Sequence, residues 1–265
     1  MTREFWQEIV NNKYQISSSP TPQDLLPELL EMLASPDPEL RDDFAYSILA
    51  TWIGRGVYSQ DELRSLLGTL EQRLEMGLIE TESDSVFIRS FAVLTLAVLV
   101  NNTVLALEPA EIKRLLEVVL TYLEREQDLR GFVQPQGWAH AVAHTADLLD
   151  QFAVNPHVQT TQLEKILSAI TKKVAAKTVW LFDEEDRLSY AAARVLGRGL
   201  LSSEAVSKLL DALAVQVSQA DEHKLNIIPR HNAKAFLRSL YFQVLKLEPN
   251  SEHLELILGA LNKIG

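Results

Sequence analysis

Cysteine is absent from this sequence of 265 residues, and glycine and proline are scarce, at ten residues each. The lack of cysteine excludes a disulfide framework, a thiolate metal site and a cysteine nucleophile, and it fits a reducing cytoplasm. Because glycine and proline mark turns, their scarcity indicates long regular elements. Alternation of apolar and polar residues, the pattern of a half-buried β-strand, is nearly absent as well. Together these absences favour an all-helical fold.

Long apolar runs and an excess of positive charge are also lacking. The longest apolar run, Phe91 to Val100, is about half the length that spans a bilayer. The amphipathic N-terminus lacks the apolar core of a signal peptide. The net charge is −11 with the histidines neutral, which disfavours a phosphate backbone and favours a basic partner. We therefore expect a cytoplasmic protein that binds neither membranes nor nucleic acid.

Helical periodicity runs through almost the whole chain, and capping residues indicate where several helices begin. Thr21 opens one helix with Asp24 in its first turn, Ser59 followed by Glu62 forms a capping box, and Ser202 caps a later helix. The predicted helices cover residues 2–13, 21–34, 39–54, 59–76, 86–104, 109–127, 138–153, 161–176, 184–197, 203–218, 228–246 and 251–263.

A small residue recurs at one fixed place in five of these helices, at intervals of about 42 to 50 residues. The residues are Ala45, Ala92, Ala141, Ala191 and Ala233. A small side chain lets two helix axes approach closely, and a leucine-rich partner helix follows each time. Helix pairs with a period in the forties are typical of HEAT and armadillo α-solenoids. We expect one all-α domain over residues 1–265, an α-α superhelix with capping helices in 1–35 and helix-pair repeats in 36–265.

The stretch from Asp128 to Asp150 has the polar residues with the clearest chemical geometry. If a helix begins at Trp138, then His140, His144 and Asp147 stand at i, i+4 and i+7 on one stripe. Two imidazoles at this spacing are close enough to bind one divalent metal ion. The carboxylate one turn later then serves as a third ligand or as an orienting group.

The metal interpretation has an alternative in helix packing. The zincin pattern requires glutamate directly after its first histidine, and Ala141 stands there. A polar helix face, or histidines hydrogen-bonded between helices, explains the same spacing. The sequence leaves both interpretations open.

Charged and aromatic residues at corresponding places of the repeats extend this cluster. The residue before the repeat alanine is aromatic in three of the five helices, and His140 replaces it in the third. Because the first helices of neighbouring repeats stack side by side, we expect a ligand-binding groove with the histidine helix at its centre. A ladder of ion pairs between repeats is the alternative. The predicted lining residues are Asp84, Arg89, Trp138, His140, His144, Asp147, Arg187 and Tyr190.

Four segments resemble, in order and spacing, a family of bacterial proteins recorded only as a domain of unknown function. They are SPDPELRDDFAYSILATWI, ESDSVFIRSFAVLTLA, DLRGFVQPQGWAHAVAHTADLLD and EEDRLSYAAARVL, and they span Ser35 to Leu196. The most specific part is GWAHAxAHxAD. The family often has lysine where this chain has Gln136. The resemblance implies an all-helical bacterial cytoplasmic protein without an assigned activity, and its motif positions are Asp84, Ser85, Arg89, Arg130, Gly131, Trp138, His140, His144, Asp147 and Arg187.

Three functions fit these patterns. The first is a binding or scaffold protein that holds a protein, a peptide or a small molecule in the concave groove. The second is a metal- or histidine-dependent hydrolase-type enzyme that uses His140, His144 and Asp147, with Arg89 or Arg187 receiving an anionic substrate. The third is a nucleic-acid-binding helical repeat, which the acidic balance disfavours. We favour the binding protein because a nucleophile elbow, a phosphate loop and a dinucleotide turn are all missing.

Overall fold

The structure, a computed structural model, describes residues 1–15, 18–218 and 227–265. Helices carry nearly all of the regular structure in these ranges. A π-helical segment, Glu39–Tyr46, runs directly into the third α-helix. The elements are α1 (Arg3–Asn11), α2 (Pro22–Met32), α3 (Ser47–Gly54), α4 (Gln60–Arg73), α5 (Ser85–Leu99), α6 (Pro109–Arg125), β1 (Phe132–Val133), β2 (Gly137–Trp138), α7 (Ala141–Val154), α8 (Thr160–Val174), α9 (Glu184–Gly197), α10 (Ser203–Ser218), α11 (Ile227–Leu247) and α12 (His253–Ile264).

The all-α prediction is confirmed, and the local signals for helix starts were sound. Thr21 and Ser59 each form a capping box. Ser202 Oγ accepts a hydrogen bond from the Ala205 amide at 3.2 Å. Within the described ranges, no helix combines the length and the apolar character that a membrane crossing requires.

Several helix ends differ from the prediction by two or more residues, and two of these differences affect the interpretation. α5 ends at Leu99 rather than near residue 104, because the Asn102 side chain accepts hydrogen bonds from the Val104 and Leu105 amides, each at 2.9 Å. Such local bonds compete with the helix. The central helix also begins three residues later than predicted.

α7 begins at Ala141, not at Trp138, because the chain before it forms a short antiparallel hairpin. Phe132 pairs with Trp138, and Val133 pairs with Gly137. His140 follows with a left-handed backbone, at φ +48°. The prediction that His140 lies inside the helix is therefore wrong.

The described residues divide into two compact units, each built from two chain segments. Unit 1 comprises Met1–Glu108 and Arg125–His144, and unit 2 comprises Pro109–Glu124 and Thr145–Gly265. In unit 1, α4 packs on α5, and α2 packs on the π-helical segment. In unit 2, α9 packs on α11, and α10 packs on α12. The single domain over residues 1–265 stays a prediction.

The five repeat alanines are all buried, with relative exposures of 0 or 1 %. This agrees with the expectation that the position needs a small side chain. Of the residues that precede them, Phe44, Phe91, His140 and Asn232 are buried as well, whereas Tyr190 is 39 % exposed. Each unit therefore uses these helix faces for its core, with Tyr190 as the exception.

A buried ion pair connects three parts of unit 1. Arg89 is fully buried on α5, and its Nε and Nη2 atoms donate to the two carboxylate oxygens of Glu126 at 2.6 and 2.9 Å. Its Nη1 atom donates to the carbonyl oxygens of Met76 and Gly77 at 2.9 and 2.8 Å. Arg89 therefore fixes the loop after α4 and the segment after α6. These donors of Arg89 are therefore used inside unit 1, whereas the enzyme hypothesis gave Arg89 or Arg187 the role of receiving an anionic substrate.

Replacing Arg89 with methionine should lower the free energy of unfolding by about 3–5 kcal/mol, because Glu126 then keeps a buried charge without its partner. The double variant Arg89→Met/Glu126→Gln should recover part of that loss. Urea denaturation followed by circular dichroism measures both. As a control, Arg125→Ala removes the exposed pair with Glu75 and should cost less than about 1 kcal/mol. A loss in Arg89→Met no larger than in this control would contradict the expectation.

Candidate functional site

Arg41 is the centre of a polar cluster in unit 1. Its side chain is fully buried, and the guanidinium carbon lies 4.2 and 4.8 Å from the ring centroids of Phe87 and Phe91. Its Nη2 atom donates to the Asp42 carboxylate at 2.7 Å and to the Gln136 carbonyl at 2.9 Å. Because Gln136 lies in the turn between β1 and β2, Arg41 attaches the hairpin to the π-helical segment.

The two histidines pack in a row of aromatic rings next to this arginine. Trp138 stacks on His140, with centroids 4.3 Å apart, and His140 meets His144 edge-on at 5.7 Å. The His144 Nδ1 atom lies 3.2 Å from the carbonyl oxygen of Ser90, and its ring meets Phe91 edge-on at 5.0 Å. His140 and His144 are 7 and 6 % exposed. Both rings are therefore part of the packing of unit 1.

The metal prediction for His140, His144 and Asp147 required a helix that starts before His140. α7 starts at Ala141, so the two imidazoles do not stand at i and i+4 within one helix. Among residues 1–15, 18–218 and 227–265, no group of three or more His, Cys, Asp or Glu side chains is arranged to hold a metal ion. The predicted three-ligand set is therefore not assembled.

Asp84 and Gly137 make further contacts that fix the hairpin. Asp84 precedes α5 but makes no capping hydrogen bond with its side chain. Its Oδ1 atom instead accepts from the Gln136 Nε2 atom at 2.8 Å. Gly137 has φ +81°, and a Cβ atom there would lie 2.9 Å from the Pro38 Cβ atom. Only glycine fits this left-handed, tightly packed position.

Unit 2 has a pocket with a volume of about 460 Å³, next to α7 and the beginning of α9. Volumes of roughly 300–1,000 Å³ are usual for small-ligand sites. Three of the residues that line it, Asp147, Arg187 and Tyr190, were predicted from the sequence. The lining residues are Ala146, Asp147, Asp150, Gln151, Asp183, Asp186, Arg187 and Tyr190.

Helical spacing explains how these residues meet. On α7, the polar lining residues recur at i, i+3 and i+4, and on the α9 side they recur at i, i+3, i+4 and i+7, which places each set on one face. Asp183 directly precedes α9 with a left-handed backbone, at φ +66°, and its side chain makes no capping hydrogen bond. Its carboxylate therefore stays available to the pocket.

Two arginines pair with two of the pocket carboxylates. Arg187 Nη1 donates to Asp147 Oδ2 at 2.5 Å. Arg194 Nε lies 3.2 Å from Asp150 Oδ1, although neither atom makes a hydrogen bond within the described residues. Burial raises the pKa of the Asp147 and Asp150 carboxyls above the usual range, and the paired arginines offset part of this increase.

The other two carboxylates give the pocket an excess of negative charge. Within the described part of the chain, neither Asp183 nor Asp186 forms an ion pair with a basic side chain. Tyr190 adds a half-exposed aromatic ring, and Arg194 Nη2 donates to its hydroxyl at 3.1 Å. The arrangement is suited to a positively charged ligand group, which gains hydrogen bonds to carboxylates and contact with a ring.

The structure distributes the eight predicted groove residues over both units. Trp138, His140 and His144 pack together in unit 1, and Asp84 lies at the hairpin there. Asp147, Arg187 and Tyr190 line the pocket of unit 2. A groove shared by all eight stays a prediction.

Sequence reasoning missed five of the residues that line the pocket. The available signal was spacing from Asp147 and Arg187, because three of the missed residues stand three or four positions from one of them and the other two are their direct neighbours in the sequence. The missed residues are Ala146, Asp150, Gln151, Asp183 and Asp186.

These features define an all-helical protein with a packed histidine cluster and an acidic pocket. The chain belongs to the family described as protein of unknown function, DUF2785, whose model matches residues 74–242. The matched range includes the hairpin, both histidines and every residue that lines the pocket. The resemblance found in the sequence is thereby confirmed at the level of the family. Comparisons with curated proteins and with solved structures gave no match.

The Asp42 carboxyl should give a distinct pH dependence of stability. Burial raises its pKa to about 6, against the lowering effect of Arg41. The folded protein therefore holds this proton more tightly than the unfolded chain, and the group's contribution to stability falls as the pH rises from about 4 to about 6.

Asp42→Asn should remove this contribution. The free energy of unfolding of the variant, relative to the unaltered protein, should rise by about 2 kcal/mol between pH 4 and pH 7. Urea denaturation at both pH values measures the difference. An equal difference at the two pH values would show that Asp42 titrates normally in the folded protein.

Proposed function

We propose that this protein is a binding protein, an α-solenoid of helix pairs, whose pocket in unit 2 accepts a positively charged group of a protein, peptide or small-molecule ligand. The observation that carries the proposal is the charge of the pocket. Of the described residues that line it, four are aspartates and one is an arginine. The buried repeat alanines support the helix-pair arrangement.

A primary ammonium or a guanidinium group fits this chemistry best. Asp183 and Asp186 supply carboxylates that no basic side chain of the described residues neutralises. Hydrogen bonds to charged groups contribute about 1.5–3 kcal/mol each. Tyr190 also lines the pocket, and its ring already contacts a cation, because the Arg194 guanidinium carbon lies 5.2 Å from the ring centroid. A pocket of about 460 Å³ also leaves room for the carbon atoms that carry such a group.

The net charge of the whole chain also favours cationic ligands. With a net charge of −11, the protein attracts cationic ligands over a distance of about one Debye length, or about 10 Å at 0.1 M ionic strength. Attraction of this kind increases the rate of association more than it increases the affinity. We therefore expect cation binding to weaken with added salt.

Small cations test the proposal directly. n-Butylammonium and methylguanidinium should bind in the millimolar range, and butyrate should not bind, in titrations followed by NMR. Asp186→Asn should weaken cation binding about tenfold, because one charged hydrogen bond is lost. Asp211→Asn removes an exposed carboxylate of unit 2 that pairs with Lys263 outside the pocket, and it should have no effect. Equal binding of butyrate, or equal effects of the two variants, would contradict the proposal.

Cation binding should also depend on pH. Asp147 and Asp150 in their ionised forms offset the charges of Arg187 and Arg194. When they are protonated, the arginine charges repel a bound cation, so binding is present above the pKa of the two carboxyls and is lost as the pH falls through it. Because burial raises both pKa values, the loss should begin at a higher pH than for exposed aspartates. The n-butylammonium affinity measured from pH 8 to pH 4 checks this, with circular dichroism to verify folding. An affinity that stays constant over this range would contradict it.

A further inference from the structure

An exposed apolar segment leads directly into the pocket. Leu181 is 69 % exposed, and Val179 and Phe182 are 39 and 36 % exposed. Phe182 directly precedes Asp183, which lines the pocket. Leu181 and Asp183 are two residues apart, so their Cα atoms lie within about 7 Å of each other. A large apolar surface and an unneutralised carboxylate are therefore neighbours.

The backbone on both sides of Leu181 is anchored. Trp180, directly before Leu181, is 2 % exposed, and its amide donates to Asn232 Oδ1 at 3.4 Å. The Phe182 amide donates to Glu184 Oε2 at 2.9 Å, and Glu184 is buried. A residue fixed between two anchored neighbours loses little freedom when a ligand covers it. The segment is therefore suited to recognition.

We propose that the ligand is a segment of another protein in which an arginine or lysine stands close to a large apolar side chain. The basic group enters the pocket between α7 and α9, and the apolar side chain covers Leu181 and Phe182. This inference rests on the proposed cation-binding function. It goes further because a small amine would occupy only the pocket, and the Leu181 side chain would stay exposed to water.

The distance between nearby side chains of a peptide matches the distance between Leu181 and Asp183. Successive residues of an extended chain are about 3.3 Å apart, so side chains one to three residues away reach the distance that separates Leu181 from Asp183. Charge complementarity favours a basic ligand residue in the pocket. The apolar side chains of Leu181 and Phe182 favour a large apolar residue close to it in the ligand. Buried apolar area then adds affinity to a contact that charge alone makes weak.

Labelled nonapeptides test the inference on the full chain. On a glycine and serine background, one set carries arginine and leucine one to three residues apart, and a matched set replaces the leucine with serine. The best arginine–leucine peptide should bind about tenfold more tightly than its serine counterpart in fluorescence anisotropy. Leu181→Ser should remove this preference and leave methylguanidinium binding unchanged.

Ile79→Ser is the matched control, since Ile79 is 76 % exposed in unit 1 and lies outside the pocket. It should leave the peptide preference intact. If the two peptide sets bind equally while methylguanidinium still binds, the peptide inference is overturned and the cation pocket remains. If neither peptides nor methylguanidinium bind, the proposed function is overturned as well. An equal loss of preference in Leu181→Ser and Ile79→Ser also overturns the inference.

Discussion

Unit 1 depends on two guanidinium groups that are removed from water. A buried charge is tolerated only when its donors are matched by acceptors, and Arg89 meets a carboxylate and two carbonyl oxygens. The Nη atoms of Arg41 donate to a carboxylate and to two backbone carbonyls, its Nε atom has no acceptor among the described residues, and two phenylalanine rings cover the guanidinium group. Both arginines sit on helical segments and reach irregular chain. They therefore fix loops that the helices alone would leave undetermined.

The positions of the hairpin and of the two histidines depend on these contacts of Arg41. Arg41 donates a hydrogen bond to the Gln136 carbonyl and so fixes the hairpin. Gly137 lets the hairpin backbone approach Pro38 closely. Trp138 and His140 then stack above the first turn of α7. The GWAHA segment thus has a structural explanation in unit 1. The buried His140 ring packs between Trp138, which is 40 % exposed, and His144, and Gly137 supplies the left-handed backbone of the turn.

The charged side chains of unit 2 differ from those of unit 1 in their burial. Its carboxylates are half-buried next to a pocket, and the two arginines on α9 neutralise two of them. The remaining carboxylates, Asp183 and Asp186, stand at the N-terminus of α9, where negative charge is favourable, and they form no ion pair among the described residues. A charge excess in a concave, partly buried place is typical of a binding site.

The sequence by itself determined the helices, because capping boxes and 3.6-residue periodicity act within a few residues of the chain. It also determined the small, buried alanine positions and the family. The tertiary structure alone decided which charges meet, because Arg89 and Glu126 are 37 residues apart, Arg187 and Asp147 are 40 apart, and Arg41 and Gln136 are 95 apart. Such pairs depend on which helix faces pack together. Long-range packing also explains why α7 begins later than the local pattern predicted. Contacts to Pro38 and Arg41 stabilise a hairpin at residues 132–138, which ends at the residue where the local pattern predicted that the helix begins.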